Sequence, residues 1–255
     1  VDSLPDEARE ALAEIVGRPD PEIVGAVLSG SAGRGLATEH SDVDVFVVYR
    51  GTEKPAEPPR SRYVDEIPVL LTDLEKPPPA WGTEFWWVRW SFAWAPVLRD
   101  DSDGRIVRAL RRIATLSPEE QDSMLPIVLD GYINIVYRAL KSDRDGRAFE
   151  SGLDAAESWP WLLEMVFALS GRVRPYNKYL PWELREHPLD VPEWRSEQLL
   201  PQVTAVLGGD TAAIRSGFDV IERECRARDA ATGTTTLGDV IAEWGDQVEL
   251  LRTRP

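Results

Sequence analysis

The sequence predicts two architectures in series: an α/β (α+β) half over residues 1–105, then an all-α half over 106–255. Strand-like apolar runs are confined to the first half, at 23–28, 45–49, 63–71 and 95–98. Beyond Ile106 they give way to apolar residues recurring at three- and four-residue steps. At 255 residues, with 43% hydrophobic and 29% charged side chains, the chain suits one large or two modest domains with a real core.

Residues 3–16 read as a helix. Ser3 is a candidate cap, Pro5, Asp6 and Glu7 suit a first turn, and Leu12, Ile15 and Val16 form an apolar stripe. Gly17 and Pro19-Asp20-Pro21 stop it. Then come a strand, the small-residue turn Ala32–Gly35 with a short helix, and a second strand. Residues 50–62 are proline-rich and charged, an exposed connection. Pro68 makes the strand at 63–71 an edge. Thr72-Asp73-Leu74-Glu75 fits a capping box, and Lys76-Pro-Pro-Pro79 limits the helix it opens. Residues 81–96 hold five of the ten tryptophans, read as a core-facing aromatic cluster, with a platform for stacking a base as the alternative. The last strand, 95–98, ends in the polar turn 99–104.

In the second half, Ser117-Pro-Glu-Glu120 opens a helix carrying Leu125, Val128, Leu129, Tyr132, Ile135, Val136, Ala139 and Leu140 at helical spacing. Residues 149–169 give one or two helices interrupted near Pro160, with Gly171 placed as a residue just past a helix end. Segments 195–207, 211–228 and 237–252 complete the helical pattern.

The chemistry concentrates in Gly30-Ser31-x10-Asp42-Val43-Asp44, set between two apolar strands. In a strand, carboxylates at i and i+2 share one face. Two adjacent carboxylates repel, and a divalent cation is the usual reason for such a pair; Mg²⁺ is held by one or two carboxylates plus substrate phosphates. Gly30 lets a backbone approach a phosphate, Ser31 offers an N–H and a hydroxyl, and Arg34 is a candidate phosphate contact beside its plainer reading as a loop arginine. Asp-x-Asp alone often marks only a polar strand end; the specific signal is the combination at this spacing.

This pattern resembles the nucleotidyltransferase superfamily typified by DNA polymerase β, closely over residues 23–49. The resemblance implies a small mixed sheet with flanking helices, and transfer of a nucleoside monophosphate from a nucleoside triphosphate with release of pyrophosphate. Asp42 and Asp44 would hold Mg²⁺. A third acid on a neighbouring strand often serves as general base in that superfamily, and Asp65 is the first choice, although Asp65 and Glu66 also read as an exposed turn. Residues 172–183 gather Arg172, Arg174, Tyr176, Asn177 and Lys178 in a chain with only four lysines, read as a loop or helix junction because Pro175 and Pro181 break helices. Similar stretches in some bacterial small nucleotidyltransferases would place Asn177 and Lys178 over the triphosphate, with the helical half closing the nucleotide and acceptor site; an ordinary solvated basic turn is the alternative.

Net charge is −15, which disfavours a broad nucleic-acid surface. One cysteine, Cys225, excludes an intramolecular disulfide and a cysteine zinc site, and two histidines, His40 and His187, make no metal cluster. Cys225 reads as inert, His40 as an exposed loop residue, and Glu150, Asp154 and Glu157 as a solvated helix face. No stretch resembles a membrane span or a signal sequence, so the expected location is cytoplasmic. The expected activity is transfer of a nucleotide, AMP from ATP first among them, to a hydroxyl of a small-molecule acceptor such as an antibiotic. Alternatives are a toxin-like enzyme acting on a protein or tRNA end, and a non-catalytic nucleotide-binding module.

Overall fold

The computed structural model describes residues 4–59, 61–76 and 86–253. The chain forms two compact units, up to residue 115 and from 116 onward.

The first unit is a four-stranded mixed sheet of order β3-β2-β1-β4 with helices on both faces. Helix α1 (Asp6–Gly17) carries Asp6 and Glu7 in its first turn; Pro5 stands at its N-cap, and Ser3 lies outside the described residues. Strand β1 (Ile23–Leu28) runs antiparallel to β2 (Val43–Tyr49), which runs parallel to β3 (Val64–Leu70); β4 (Val97–Asp100) lies antiparallel on the other side of β1. The parallel crossover from β2 to β3 is made by residues 50–63, the proline-rich connection. Pro68 sits on the edge strand β3, as its missing N–H requires.

Alternation sorts the strand residues onto two cores. Val43, Val45, Val47 and Val64 join Leu12 and Ile15 of α1 on one face. Phe46, Val48, Ile67 and Val69 face α3 (Leu71–Glu75), α4 (Trp86–Phe92) and α5 (Arg105–Ile113) on the other. Phe46 and Phe92 meet with ring centroids 4.3 Å apart. Two expectations change here. Thr72 is not a cap: the helix begins two residues earlier than that cap requires, at Leu71, with Leu70 at the N-cap and no side-chain bond. The expected division at 105/106 falls at 115/116, because Ile106, Ala109, Leu110 and Ile113 of α5 bury against this sheet. Arg89, itself buried, holds that boundary by donating to the carbonyls of Ile113 at 2.9 Å and Thr115 at 2.7 Å.

The second unit consists of α6 (Pro118–Arg144), α7 (Ala148–Leu169), α8 (Leu180–Glu186), α9 (Ser196–Leu207), α10 (Thr211–Thr232) and α11 (Thr236–Glu243), with short 3₁₀ turns between them. Ser117 and Glu120 make the expected capping box of α6. Helices α6 and α7 pack closely as an antiparallel pair; at Gly131 a side chain would collide with the Trp161 ring, so a glycine is required for that approach. Pro160 does not interrupt α7, which runs through it, as α6 runs through Pro126. Proline forfeits one helical bond, but tertiary burial of both flanks keeps the helix continuous. Pro181 likewise opens α8 at its first turn instead of breaking it. No helix among the described residues is long and apolar enough to cross a membrane.

Candidate active site

The end of β1 and the starts of β2 and β3 meet at one edge of the first unit. Leu28 pairs with Val45, and the register of the parallel pair sets Asp44 directly beside Asp65. Directly paired residues of parallel strands point to the same side, here the face that continues as Phe46 and Ile67. Two carboxylates thus replace the apolar side chains where the sheet opens. Asp65 is buried and Asp44 partly buried, whereas Asp42 precedes the first residue of β2 and is exposed. Asp65 therefore belongs to a strand, not to an exposed turn. Glu66 points to the opposite face, where both its oxygens accept from Arg18 at 2.7 Å.

The turn after β1 is shaped around Asp44. Ser29 N–H donates to the Asp44 carbonyl at 2.8 Å, and Gly30 follows with φ of +59°. A Cβ at Gly30 would fall on Asp44 Oδ2, with Cγ only 3.0 Å away, so no other residue fits between turn and carboxylate. Gly30–Gly33 then make one helical turn, α2, which presents Ser31 at its start. The first N–H groups of a helix have no partner within it.

Arg34 is not a free phosphate ligand. Its guanidinium is buried over the Trp90 ring, 4.1 Å from the centroid, and donates to the carbonyls of Gly30 at 2.9 Å, Ala93 at 2.9 Å, and Trp90 and Ser91 at 3.2 Å. Ser29 Oγ adds a bond to the Ser91 carbonyl at 2.7 Å. Arginine thus ties the Gly-Ser turn to the C-terminal end of α4, where carbonyls without helical partners gather. The tryptophan-rich stretch divides: Trp90 is core, and Trp94 is half exposed with φ of +59°. Trp81 lies outside the described residues, as do the side chains of Trp86 and Trp87.

In the second unit, the 172–178 segment is fastened at two points. Arg172 pairs with the buried Glu183 and donates to the His187 carbonyl at 2.8 Å. Arg174 pairs with Glu164 of α7 at 3.0 Å, lies 5.1 Å from the Trp159 ring centroid, and donates to Asn177 Oδ1 at 2.7 Å. Asn177 and Lys178 are exposed, Lys178 Nζ standing 4.7 Å from the Tyr179 ring centroid. Burial pushes the Glu164 carboxyl up to about 7, against the pull of Arg174. Glu164 escaped the sequence reading because it sits in an apolar helical run, LLEMVFAL, where a lone acid is the only signal.

His40 is exposed, and Cys225 is fully buried with its thiol pushed up by desolvation. Glu150 and Glu157 are solvated, but Asp154 is buried against Arg138 at 2.9 Å, so the acidic face is not uniform. Among the described residues, no three His, Cys, Asp or Glu side chains gather as a metal-holding group.

Residues 7–84 match the family model described as nucleotidyltransferase domain. The first unit carries a nucleotidyltransferase domain. The match spans α1, the Gly-Ser turn, both members of the Asp-x-Asp pair and β3 with Asp65. No curated protein matches the chain. Among solved structures, a nucleotidyltransferase-like protein from Exiguobacterium sibiricum 255-15 matches with 13% identity and a TM-score of 0.42, covering 92% of this chain and 77% of that one. A nucleotidyltransferase domain implies a nucleotide substrate.

Proposed function

We propose that the chain transfers a nucleoside monophosphate, AMP from ATP in the first instance, to a hydroxyl of a small-molecule acceptor and releases pyrophosphate. The observation that carries this is the side-by-side register of Asp44 and Asp65 at the sheet edge, with Gly30 seated against the Asp44 carboxylate.

The donor set suits a hard cation. Asp42 and Asp44 offer only oxygens, and two carboxylates suffice for Mg²⁺ when phosphates complete its shell. Mg²⁺, when bound, offsets phosphate charge and lowers the pKa of a coordinated hydroxyl. Gly30 and Ser31 present backbone N–H groups to the phosphates, and Ser31 adds its hydroxyl. Asp65 accepts the acceptor's proton as its oxygen bonds to the α-phosphorus and the bond from that phosphorus to the pyrophosphate oxygen breaks. Arg34 positions the turn without touching substrate.

A net charge of −15 favours a cationic acceptor over a nucleic acid. The test is incubation with Mg²⁺ and labelled nucleoside triphosphates, with purified antibiotics, cell-extract proteins and tRNA as separate acceptor arms. Acceptor-dependent pyrophosphate release, lost in Asp44→Asn, is the expected result. Labelling of protein or tRNA instead would move the assignment to the toxin-like class. Nucleotide binding without any release would make the chain a binding module, and no binding at all would sink the proposal.

A further inference from the structure

We infer that Trp94 is the surface on which the base of the nucleotide stacks. This rests on the reading above that the sheet edge carrying Asp44 and Asp65 handles a nucleoside triphosphate.

The topology brings Trp94 to that edge. Strand β1 ends there and β2 and β3 begin there; β4, antiparallel to β1, begins there too, with Val97 paired to Val27. Across the order β3-β2-β1-β4 the edge therefore presents Asp65, Asp44, the Gly30-Ser31 turn and then Trp94, three residues before β4. In-line displacement sets the attacking and leaving oxygens on opposite sides of the phosphorus. With the acceptor at Asp65 on β3, the donor nucleotide extends the other way, toward β1 and β4. Adjacent strands lie about 4.8 Å apart, so β4 stands roughly 10 Å from β2, a gap that a ribose bridges between an α-phosphate and its base.

Trp94 is held in place at a cost. Its φ of +59° makes it the one bulky residue in the left-handed region among the described residues; Asp103, the other residue there that is not glycine, is small and polar. Glycine and asparagine take this conformation readily, whereas a tryptophan keeps it only where the surrounding structure over-determines the backbone. Here both flanks are tied to the active-site turn. The Ala93 carbonyl accepts from Arg34 at 2.9 Å, and the Pro96 carbonyl accepts from the Leu28 N–H at 2.9 Å. The bonds that fix the Gly30 turn against Asp44 thus also fix the backbone that carries the indole. Trp94 is 47% exposed, the most exposed large hydrophobic side chain of the first unit among the described residues. Backbone strain concentrates at ligand contacts, and an open aromatic face beside a nucleotide site is a surface on which any base can stack.

The experiment is calorimetry on the full chain with Mg²⁺, comparing a non-hydrolysable ATP analogue with ribose 5-triphosphate, which has the sugar and phosphates but no base. The unaltered protein should bind the analogue more tightly by about tenfold or more, the contribution of one base stacked on an aromatic ring. Trp94→Ala should lose that advantage and leave the affinity for ribose 5-triphosphate unchanged, a split that a merely structural role would not produce. Trp94→Leu, apolar but without an aromatic face, should behave as the alanine variant does and takes its place if that variant fails to fold. Trp94→Phe, which keeps a ring, should retain most of the advantage. If the unaltered protein binds neither ligand, the nucleotidyltransferase reading falls and the stack with it. If it binds both equally, or if folded Trp94→Ala and Trp94→Leu keep full affinity for the analogue or weaken both ligands alike, the stack alone is refuted.

Discussion

Replacing Gly30 by alanine probes the active-site geometry most directly, because two separate effects meet at that residue. Its φ of +59° lies in the left-handed region, where an alanine costs about 1–2 kcal/mol. Its added methyl would also occupy the place of Asp44 Oδ2. Gly35 supplies the control: its φ of +67° carries the same backbone cost, but a Cβ there meets nothing within 4 Å. Gly35→Ala should therefore lose about 1–2 kcal/mol of stability and keep its activity. Gly30→Ala should lose at least as much stability and force the Asp44 carboxylate to rotate away. A displacement near 1 Å at a reacting centre can cost about 100-fold in rate, so nucleotide transfer should fall by that factor or more. Urea unfolding and pyrophosphate release, measured on both variants, separate the two effects. A Gly30→Ala enzyme as active as Gly35→Ala would refute the role assigned to the Asp44 carboxylate.

Other outcomes follow from the same geometry. Asp65→Asn should lower the turnover rate by about 10²–10⁴-fold with little change in nucleotide affinity, measured as kcat against the Kd of a triphosphate analogue. Arg34→Met should destabilise the first unit by about 3 kcal/mol or more, since several buried carbonyls lose a charged donor, and its denaturant midpoint reports this. Glu164 gives a pH signature: its folded carboxyl is raised to about 7 from an ordinary 4.5, so the folded state binds the extra proton. Stability from this group is present below pH 4.5, declines as pH rises, and is lost above about 7; a shift of that size is on the order of 3 kcal/mol. Glu164→Gln should flatten that part of the curve in urea titrations. Ser117→Ala should cost about 1 kcal/mol through loss of the capping box, seen as a lower Tm.

Local chemistry made much of this structure legible. The strands were readable because alternation and apolar runs are short-range signals, and Pro68 marked its own edge. The Gly-Ser and Asp-x-Asp spacing marked a candidate site because turn and carboxylates belong to adjacent strands. What was not legible depends on partners distant in sequence. Arg34 looked like a phosphate ligand in a loop; only the approach of the 90–93 carbonyls shows that its charge is used inside the fold. The helical limits at Pro160 and Thr72 followed local propensity, which tertiary burial overrode. The unit boundary moved to 115 because α5 covers the sheet, a fact of packing and not of composition.

The edge position of β3 has a further consequence, in terms of self-association. An exposed strand edge invites a strand from another copy to add to the sheet. Here that edge begins with Val64, places Asp65 beside Asp44 of β2, and continues through Pro68, which has no N–H to offer an incoming strand. The other edge, β4, is only four residues long. Asp65 can thus lie on an edge strand while, among the described residues, neither rim offers a long uninterrupted template for aggregation.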